Sequence, residues 1–109
     1  MKIESFDQIE QASERKYVAQ QEQEFQIIAR RDKLFGQWAA DQLGYSGDAA
    51  RTYVRAVVDS NFEKPGDDDI LGKVRADFQA ANLDGSHLES QLGACRVAAT
   101  LQIEREAKE

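Results

Sequence analysis

The sequence predicts an all-α protein: a four-helix bundle with a long first helix and a mobile N-terminal arm. Three groups of turn-forming residues, at 44–47, 64–66 and 82–85, divide the 109-residue chain into four segments. Each segment repeats apolar residues at steps of three and four, which is the period of an α-helix. No segment alternates apolar and polar residues convincingly enough for a strand, so we expect four helices and no sheet.

Local signals support the starts of the last two helices. Three consecutive aspartates, at 67–69, favour the positive end of a helix dipole and can accept from its free N–H groups. Ser86 and Glu89 have the spacing of a capping box, in which each side chain satisfies a backbone N–H of the other residue. Trp38 is expected near the centre of the core.

The first segment is too long for the other three to cover. Residues 7–43 contain no proline and only one glycine, Gly36. As a helix they would span about 55 Å, against roughly 22–31 Å for the others. Apolar residues are dense over 25–43 and sparse over 7–24. We therefore divide the chain into a mobile arm, residues 1–20, and a bundle domain, residues 21–109. An isolated helix of this length is marginal in water, so the free arm should be partly disordered.

Composition argues against several classes of function. A formal charge of −6 opposes binding to nucleic acid, which requires clustered cations. The apolar runs are far too short for a membrane span, so we expect no embedding in a membrane. No secretory signal is visible and Cys95 is the lone cysteine, so the predicted location is the cytoplasm.

Catalytic and metal-binding patterns are missing from the sequence. His87 and Cys95 are the only soft ligands, which is too few for a zinc site. His87 fits an exposed helix start, and Cys95 falls on the apolar face of the last helix, where a buried thiol is the ordinary interpretation. We expect no enzymatic activity, no metal and no required cofactor.

One basic cluster has two interpretations. Arg30, Arg31 and Lys33 lie in the middle of the first helix between two apolar patches. They could form a solvated helix face. They could also contact a small anion or an adenine nucleotide, ADP or ATP, through the forked geometry of the guanidinium groups.

The arm also has two interpretations. It could be an ordinary chain terminus without a binding role. Its apolar residues, however, lie near one helical side, with charged residues around them. An amphipathic segment whose apolar side packs against no other part of its own chain can fold into the groove of a partner.

Several irregular stretches resemble one known family. Residues 29–44, ARRDKLFGQWAADQLG, closely resemble the signature of the zeta subunit family, the ATPase inhibitor of the α-proteobacterial F-type ATP synthase. Residues 53–58, 62–63, 66–67 and 73–77 match in the same order. The resemblance implies a four-helix bundle whose arm folds into the catalytic head of the rotary ATPase and blocks hydrolysis, while the bundle limits how deeply the arm enters.

The resemblance also implies which arm residues bind the partner. The matching positions are Phe6, Asp7, Glu10, Glu14, Lys16 and Tyr17. Two positions depart from the family pattern: Ile9 stands where an arginine is usual, and Ser13 where a phenylalanine is usual. Loss of an aromatic anchor costs about 2 kcal/mol, so we expect inhibition to be weakened some tens of times.

The sequence therefore predicts a regulatory inhibitor subunit of the F-type ATP synthase. Its expected partner is the catalytic head, and the free protein is expected to be monomeric. One alternative is a weakly inhibitory or non-inhibitory helical domain that binds adenine nucleotide through Arg30, Arg31 and Lys33. Another is a scaffold or assembly protein that dimerises through the first helix.

Overall fold

The computed structural model describes residues 3–61 and 66–108, with side chains described from residue 19 onward. In this part of the chain all regular structure is helical. The helices are α1 (Ile3–Gln42), α2 (Gly47–Ser60), α3 (Asp68–Ala80) and α4 (Leu88–Lys108). The predicted all-α class, the four helices and the long first helix are confirmed. The mobility of the arm stays a prediction, and so does the division at residues 20 and 21.

Two of the helices end in the same hydrogen-bonded motif. After α1, Gly44 adopts a left-handed conformation (φ 82°), and the N–H of Tyr45 donates to the carbonyl of Ala40 at 2.9 Å. After α3, Asn82 takes the left-handed position (φ 59°), and the N–H of Leu83 donates to Phe78 at 2.8 Å. Both patterns are Schellman motifs, which satisfy carbonyls that a helix end leaves free. They explain why the breaker groups end these helices.

The internal glycine of α1 does not end the helix. Gly36 is buried, and a Cβ atom placed there would lie 3.2 Å from the Cα atom of Val54 on α2. The lack of a side chain lets the backbones of α1 and α2 approach closely. The helix-weakening effect of glycine, about 1 kcal/mol, therefore accompanies a packing contact that a larger residue would obstruct.

The main core lies between the C-terminal half of α1 and the other three helices. Phe35 is fully buried at its centre, with 0% of its surface exposed. Its buried companions are Ala39, Ala40, Tyr53, Val57, Ile70, Leu71, Val74, Phe78, Leu88, Leu92 and Cys95. Trp38, predicted at the centre, is only partly buried and stacks on Phe35 with ring centroids 5.8 Å apart. Phe35 takes the central place because it lies four residues after Arg31 and eight after Ile27, on the buried line of α1.

A second, smaller cluster joins α4 to the middle of α1. It consists of Ile27, Ala99 and Ile103, with Leu34 packed against it. This cluster is where the burial of α1 begins within the described side chains. None of the described helices is both long enough and apolar enough to cross a membrane.

The side chains expected to cap α3 and α4 bind other partners instead. Asp67 precedes α3, but its carboxylate accepts from Arg31 of α1 rather than from the free N–H groups of α3. The capping box predicted at Ser86 is wrong. The helix begins at Leu88, the N–H of Ser86 donates to Asp84, and Glu89 binds Arg75 of α3 at 2.9 Å. In both cases a partner elsewhere in the bundle has displaced the local interaction.

Replacing Phe35 with alanine should destabilise the bundle strongly. Because Phe35 is fully enclosed, the substitution leaves a cavity, and the free energy of unfolding should fall by about 3–5 kcal/mol. Urea unfolding followed by circular dichroism measures this change. Phe25→Ala on the same helix is the matched control and should change the value by less than about 0.5 kcal/mol, because Phe25 is exposed. Similar losses for the two variants would contradict the assignment of the core.

Candidate partner-binding site

The predicted partner-binding residues all lie on α1 in its N-terminal part. Their backbone belongs to a helix that begins at Ile3 and continues into the bundle without a break. The side chains of Phe6, Asp7, Glu10, Glu14, Lys16 and Tyr17 lie outside the described residues, as do those of Ile9 and Ser13. Their contacts with a partner therefore stay a prediction.

The described side chains of α1 show where the other helices begin to bury it. Ile27 is the first buried side chain, with 7% of its surface exposed. From residue 19 to residue 26 the side chains are exposed, apart from the half-buried Gln23. Phe25 belongs to this exposed stretch although it is large and apolar, and 65% of its surface is open. The helix thus continues outward from the bundle beyond the point where α2, α3 and α4 enclose it.

The basic cluster is divided between different surroundings. Arg30 reaches α4, where its guanidinium group donates to Gln102 at 2.8 Å and to both carboxylate oxygens of Glu106 at 2.7 and 3.0 Å. This two-pronged geometry is typical of arginine bound to a carboxylate. Lys33 is exposed and lines a groove of about 800 Å³ between α1 and α2, together with Arg51 and Arg55.

Arg31 and Asp32 are buried rather than solvated, with 5% and 4% of their surfaces exposed. The interpretation of the basic cluster as a solvated helix face is therefore wrong for Arg31, and Asp32 is buried with it. Arg31 Nε donates to Asp32 Oδ1 at 2.9 Å, and Arg31 Nη2 lies 3.0 Å from Asp67 Oδ1. Asp32 Oδ2 accepts from Asn61 Nδ2 at 2.7 Å. We call these four residues the ionic cluster.

The ionic cluster holds both ends of one connection against α1. Asn61 caps the C-terminus of α2, and Asp67 precedes α3. Burial raises the pKa of the Asp32 carboxyl, even though Arg31 and Asn61 both lower it. The charges of Arg31 and Asp32 offset each other inside the bundle, which is the usual condition for burying charged groups.

This geometry bears on the predicted nucleotide contact. The guanidinium groups of Arg30 and Arg31 already bind carboxylates, and those carboxylates lie in different parts of the bundle. Arg30 and Lys33 border one groove of about 410 Å³, which Glu106 also lines, whereas Arg31 lines a different cavity, so the three cations do not converge on one site. A nucleotide at these residues would have to displace Glu106 or Asp67, so ADP or ATP binding at this cluster stays a prediction without geometric support.

A periodic signal could have placed Arg31 in the interior. Position 31 lies four residues after Ile27 and four before Phe35, so it shares the buried line of α1. Its charge argued against a buried position, because charged residues are almost never fully buried unless they are paired. The pairing with Asp67 joins residues far apart in the chain, and helical periodicity alone does not indicate it.

The other reactive groups have structural roles or exposed positions. Cys95 is buried as predicted, and burial raises the pKa of its thiol. His87 is exposed and immediately precedes α4. Within residues 19–61 and 66–108 no three histidine, cysteine, aspartate or glutamate side chains come together as a potential metal site.

The helical fold alone does not define a class of function, but the family comparison does. The sequence model of ATPase inhibitor subunit zeta matches residues 3–102. The chain belongs to this family, and it is therefore a regulatory protein and not an enzyme. Comparisons with curated proteins and with solved structures gave no match.

The raised pKa of Asp32 predicts a pH dependence of stability. The folded protein keeps a proton on Asp32 above pH 3.8, the ordinary pKa, where the unfolded chain has lost it. The contribution of Asp32 to the free energy of unfolding therefore falls as the pH rises through the raised pKa. The Asp32→Asn variant has no titratable group at this position, so this contribution to the pH dependence is absent from it.

Urea unfolding of the wild type and of Asp32→Asn between about pH 4 and pH 7 measures this effect. The unfolding free energy of the wild type minus that of the variant is expected to decrease with rising pH. An increase would mean that Arg31 and Asn61 outweigh the cost of burying the carboxylate.

Proposed function

We propose that this protein inhibits the F-type ATP synthase of an α-proteobacterium by inserting the N-terminal arm of α1 into the catalytic head and blocking ATP hydrolysis. Membership of the ATPase inhibitor subunit zeta family supports the inhibitory role. The observation that supports the proposed mechanism is the continuity of α1 from Ile3 through the exposed stretch 19–26, in which only Gln23 is half-buried, into the bundle. Ile27 is the first buried side chain of α1 among those described, although the helix begins at Ile3.

The length of the projecting helix suits insertion into a partner. From Ile3 to Gln26, α1 is roughly 36 Å long at about 1.5 Å per residue. A helix of this kind can enter a groove and anchor itself through apolar residues at steps of three, four and seven. The arm residues that we expect to make these contacts are Phe6, Asp7, Glu10, Glu14, Lys16 and Tyr17.

The bundle would act as a stop. At the level of Ile27 the single helix broadens into a multi-helix body, because α4 packs against it through Ala99 and Ile103. The ion pair between Arg96 and Glu24, at 2.7 Å, lies just beyond this point and braces the exposed turn against α4. A groove that admits one helix would exclude the broader body, and this sets the depth of insertion.

Other assignments accompany this proposal. The partner is the catalytic head, the free protein is monomeric, and the site of action is the cytoplasm. The alternative of an adenine-nucleotide-binding domain receives less support, since Arg30 and Arg31 are engaged by carboxylates of the bundle.

Deleting residues 1–20 should abolish inhibition and leave the bundle folded. The deletion removes the proposed inserting segment, whereas the first buried side chain that is described, Ile27, remains. The measurement is the ATP hydrolysis rate of purified F-type ATPase at increasing concentrations of full-length and truncated protein. Circular dichroism and urea unfolding of the truncated protein check its fold.

A second truncation, lacking residues 107–109, is the control for shortening the chain. It removes Ala107 and Lys108, which are exposed at the C-terminal end of α4, together with residue 109, and should inhibit as well as the full-length protein. Full inhibition by the protein without residues 1–20 would contradict the insertion mechanism. If the full-length protein never slows hydrolysis, inhibition itself is wrong for this chain.

Replacing Ser13 with phenylalanine should strengthen inhibition. This change restores the aromatic residue that is usual in the family, and an added anchor contributes about 1–2 kcal/mol at a buried contact. The concentration for half-inhibition should fall roughly tenfold, since 1.4 kcal/mol corresponds to a factor of ten. Ser90→Phe, which places the same side chain on α4, should leave it unchanged. An unchanged or weaker effect of Ser13→Phe would place position 13 outside the contact.

A further inference from the structure

Phe25 is an exposed aromatic residue at the junction between the arm and the bundle. Its surface is 65% exposed, whereas Ile27, two residues later, is 7% exposed. Two residues correspond to about 200° of helix rotation, so Phe25 points roughly 160° away from Ile27. The side chain therefore faces away from the cluster that joins α1 to α4.

The helix turn that carries Phe25 contacts α4. Arg96 Nη2 donates to both carboxylate oxygens of Glu24, at 2.7 and 3.0 Å. This ion pair is half exposed and contributes little by itself, so the order of the backbone at residue 25 comes mainly from its place in the continuous helix α1. An anchor that is ordered before binding loses less conformational entropy when it is buried by a partner.

The register of α1 aligns Phe25 with two of the six proposed arm residues, whereas Phe6, Lys16 and Tyr17 lie on other sides of the helix. Asp7 and Glu14 lie eighteen and eleven residues before Phe25, and these distances are close to five and three whole turns. Because α1 is continuous from Ile3 to Gln42, the three positions follow one line along the helix. A partner that covers this line of the arm would reach Phe25 next.

The charge around Phe25 indicates the chemistry of such a partner. Between residues 18 and 29 the only ionisable side chains are Glu22 and Glu24. Arg96 neutralises Glu24, while Glu22 lies exposed beside Phe25, together with Gln21 and Gln26. An apolar ring with an adjacent carboxylate fits an apolar socket that has lysine or arginine at its edge.

We propose that Phe25 is a second anchor for the inhibited ATPase, seated in an apolar socket with a cationic edge that Glu22 contacts. This inference rests on the proposed inhibitory function and extends its contact surface beyond residues 1–20 to the edge of the bundle. A single exposed apolar residue is common on protein surfaces. Phe25 is distinguished from Val97 and Leu101, which are also exposed, by its alignment with the arm.

The test compares Phe25→Ala with Leu101→Ala. Both remove a large exposed apolar side chain, 65% and 56% exposed, but Leu101 lies on α4. The measurements are the dissociation constant from F-type ATPase and the concentration for half-inhibition. Phe25→Ala should raise both by about tenfold to a hundredfold, as expected for an aromatic anchor, and Leu101→Ala should change neither. Urea unfolding confirms that both variants are folded.

A charge reversal tests the cationic edge. Glu22→Lys should weaken binding, and the loss should be larger at low salt, because exposed charges are screened as ionic strength rises. Wild-type affinity of Phe25→Ala, equal losses for Phe25→Ala and Leu101→Ala, or no effect of Glu22→Lys would each overturn this inference.

The deletion of residues 1–20 separates this inference from the proposed function. If the deletion abolishes inhibition and Phe25→Ala binds normally, inhibition by the arm stands and the second anchor does not exist. If the full-length protein neither binds nor inhibits the ATPase, the proposed function fails and the second anchor fails with it.

Discussion

The architecture depends on the uneven burial of one helix. α2, α3 and α4 have 14, 13 and 21 residues, whereas α1 has 40 residues and its described side chains become buried only from Ile27 onward. From that point its buried line runs through Arg31 and Phe35 into the main core. One continuous helix therefore supplies both the wall of the bundle and the projecting segment. The folded body and the proposed binding surface share a single backbone, so the orientation of one sets the orientation of the other.

The ionic cluster is the part of the bundle that apolar packing alone does not explain. A buried ion pair adds little net stability compared with well-packed apolar groups, but removal of one partner is costly because the other charge is left buried. Here the charges connect Asp32 to the end of α2 through Asn61, and Arg31 to the start of α3 through Asp67. These directional bonds define where α2 ends and α3 begins relative to α1.

The spacing of apolar residues along the sequence was sufficient to predict most of the fold. The structure buries Val57, Val74, Phe78 and Leu92, which belong to the apolar repeats that predicted the last three helices. Apolar spacing did not predict the exposure of Phe25, which belongs to the apolar-rich stretch 25–43. The shorter helices do not reach its side of α1. Sequence spacing shows which residues share a helical face, but the positions of the other helices decide whether that face is covered.

Polar positions were harder to predict for a related reason. Asp67 and Ser86 satisfy local rules for helix starts, yet Asp67 binds Arg31, and α4 begins two residues after Ser86. A capping interaction contributes only about 1 kcal/mol, so a charged partner brought close by folding can replace it. Arg31 was expected either on a solvated face or in contact with a small anion, and neither interpretation placed it in the interior. Its partner Asp67 follows α2 in the sequence, 36 residues after Arg31. Such pairings depend on the tertiary arrangement and have no signature within a single helix.

The continuity of α1 has an energetic consequence for binding by the arm. A separate peptide of similar length must form its first helical turn before it can propagate, and a nucleation constant near 10⁻³ makes this step cost about 4 kcal/mol. The arm is the extension of a helix whose later turns are enclosed by the bundle, and the contact of Glu24 with Arg96 carries that order outward. Each further turn then adds to an existing helix and bypasses nucleation. If the arm binds as proposed, the turns that the bundle supplies raise its affinity for the partner.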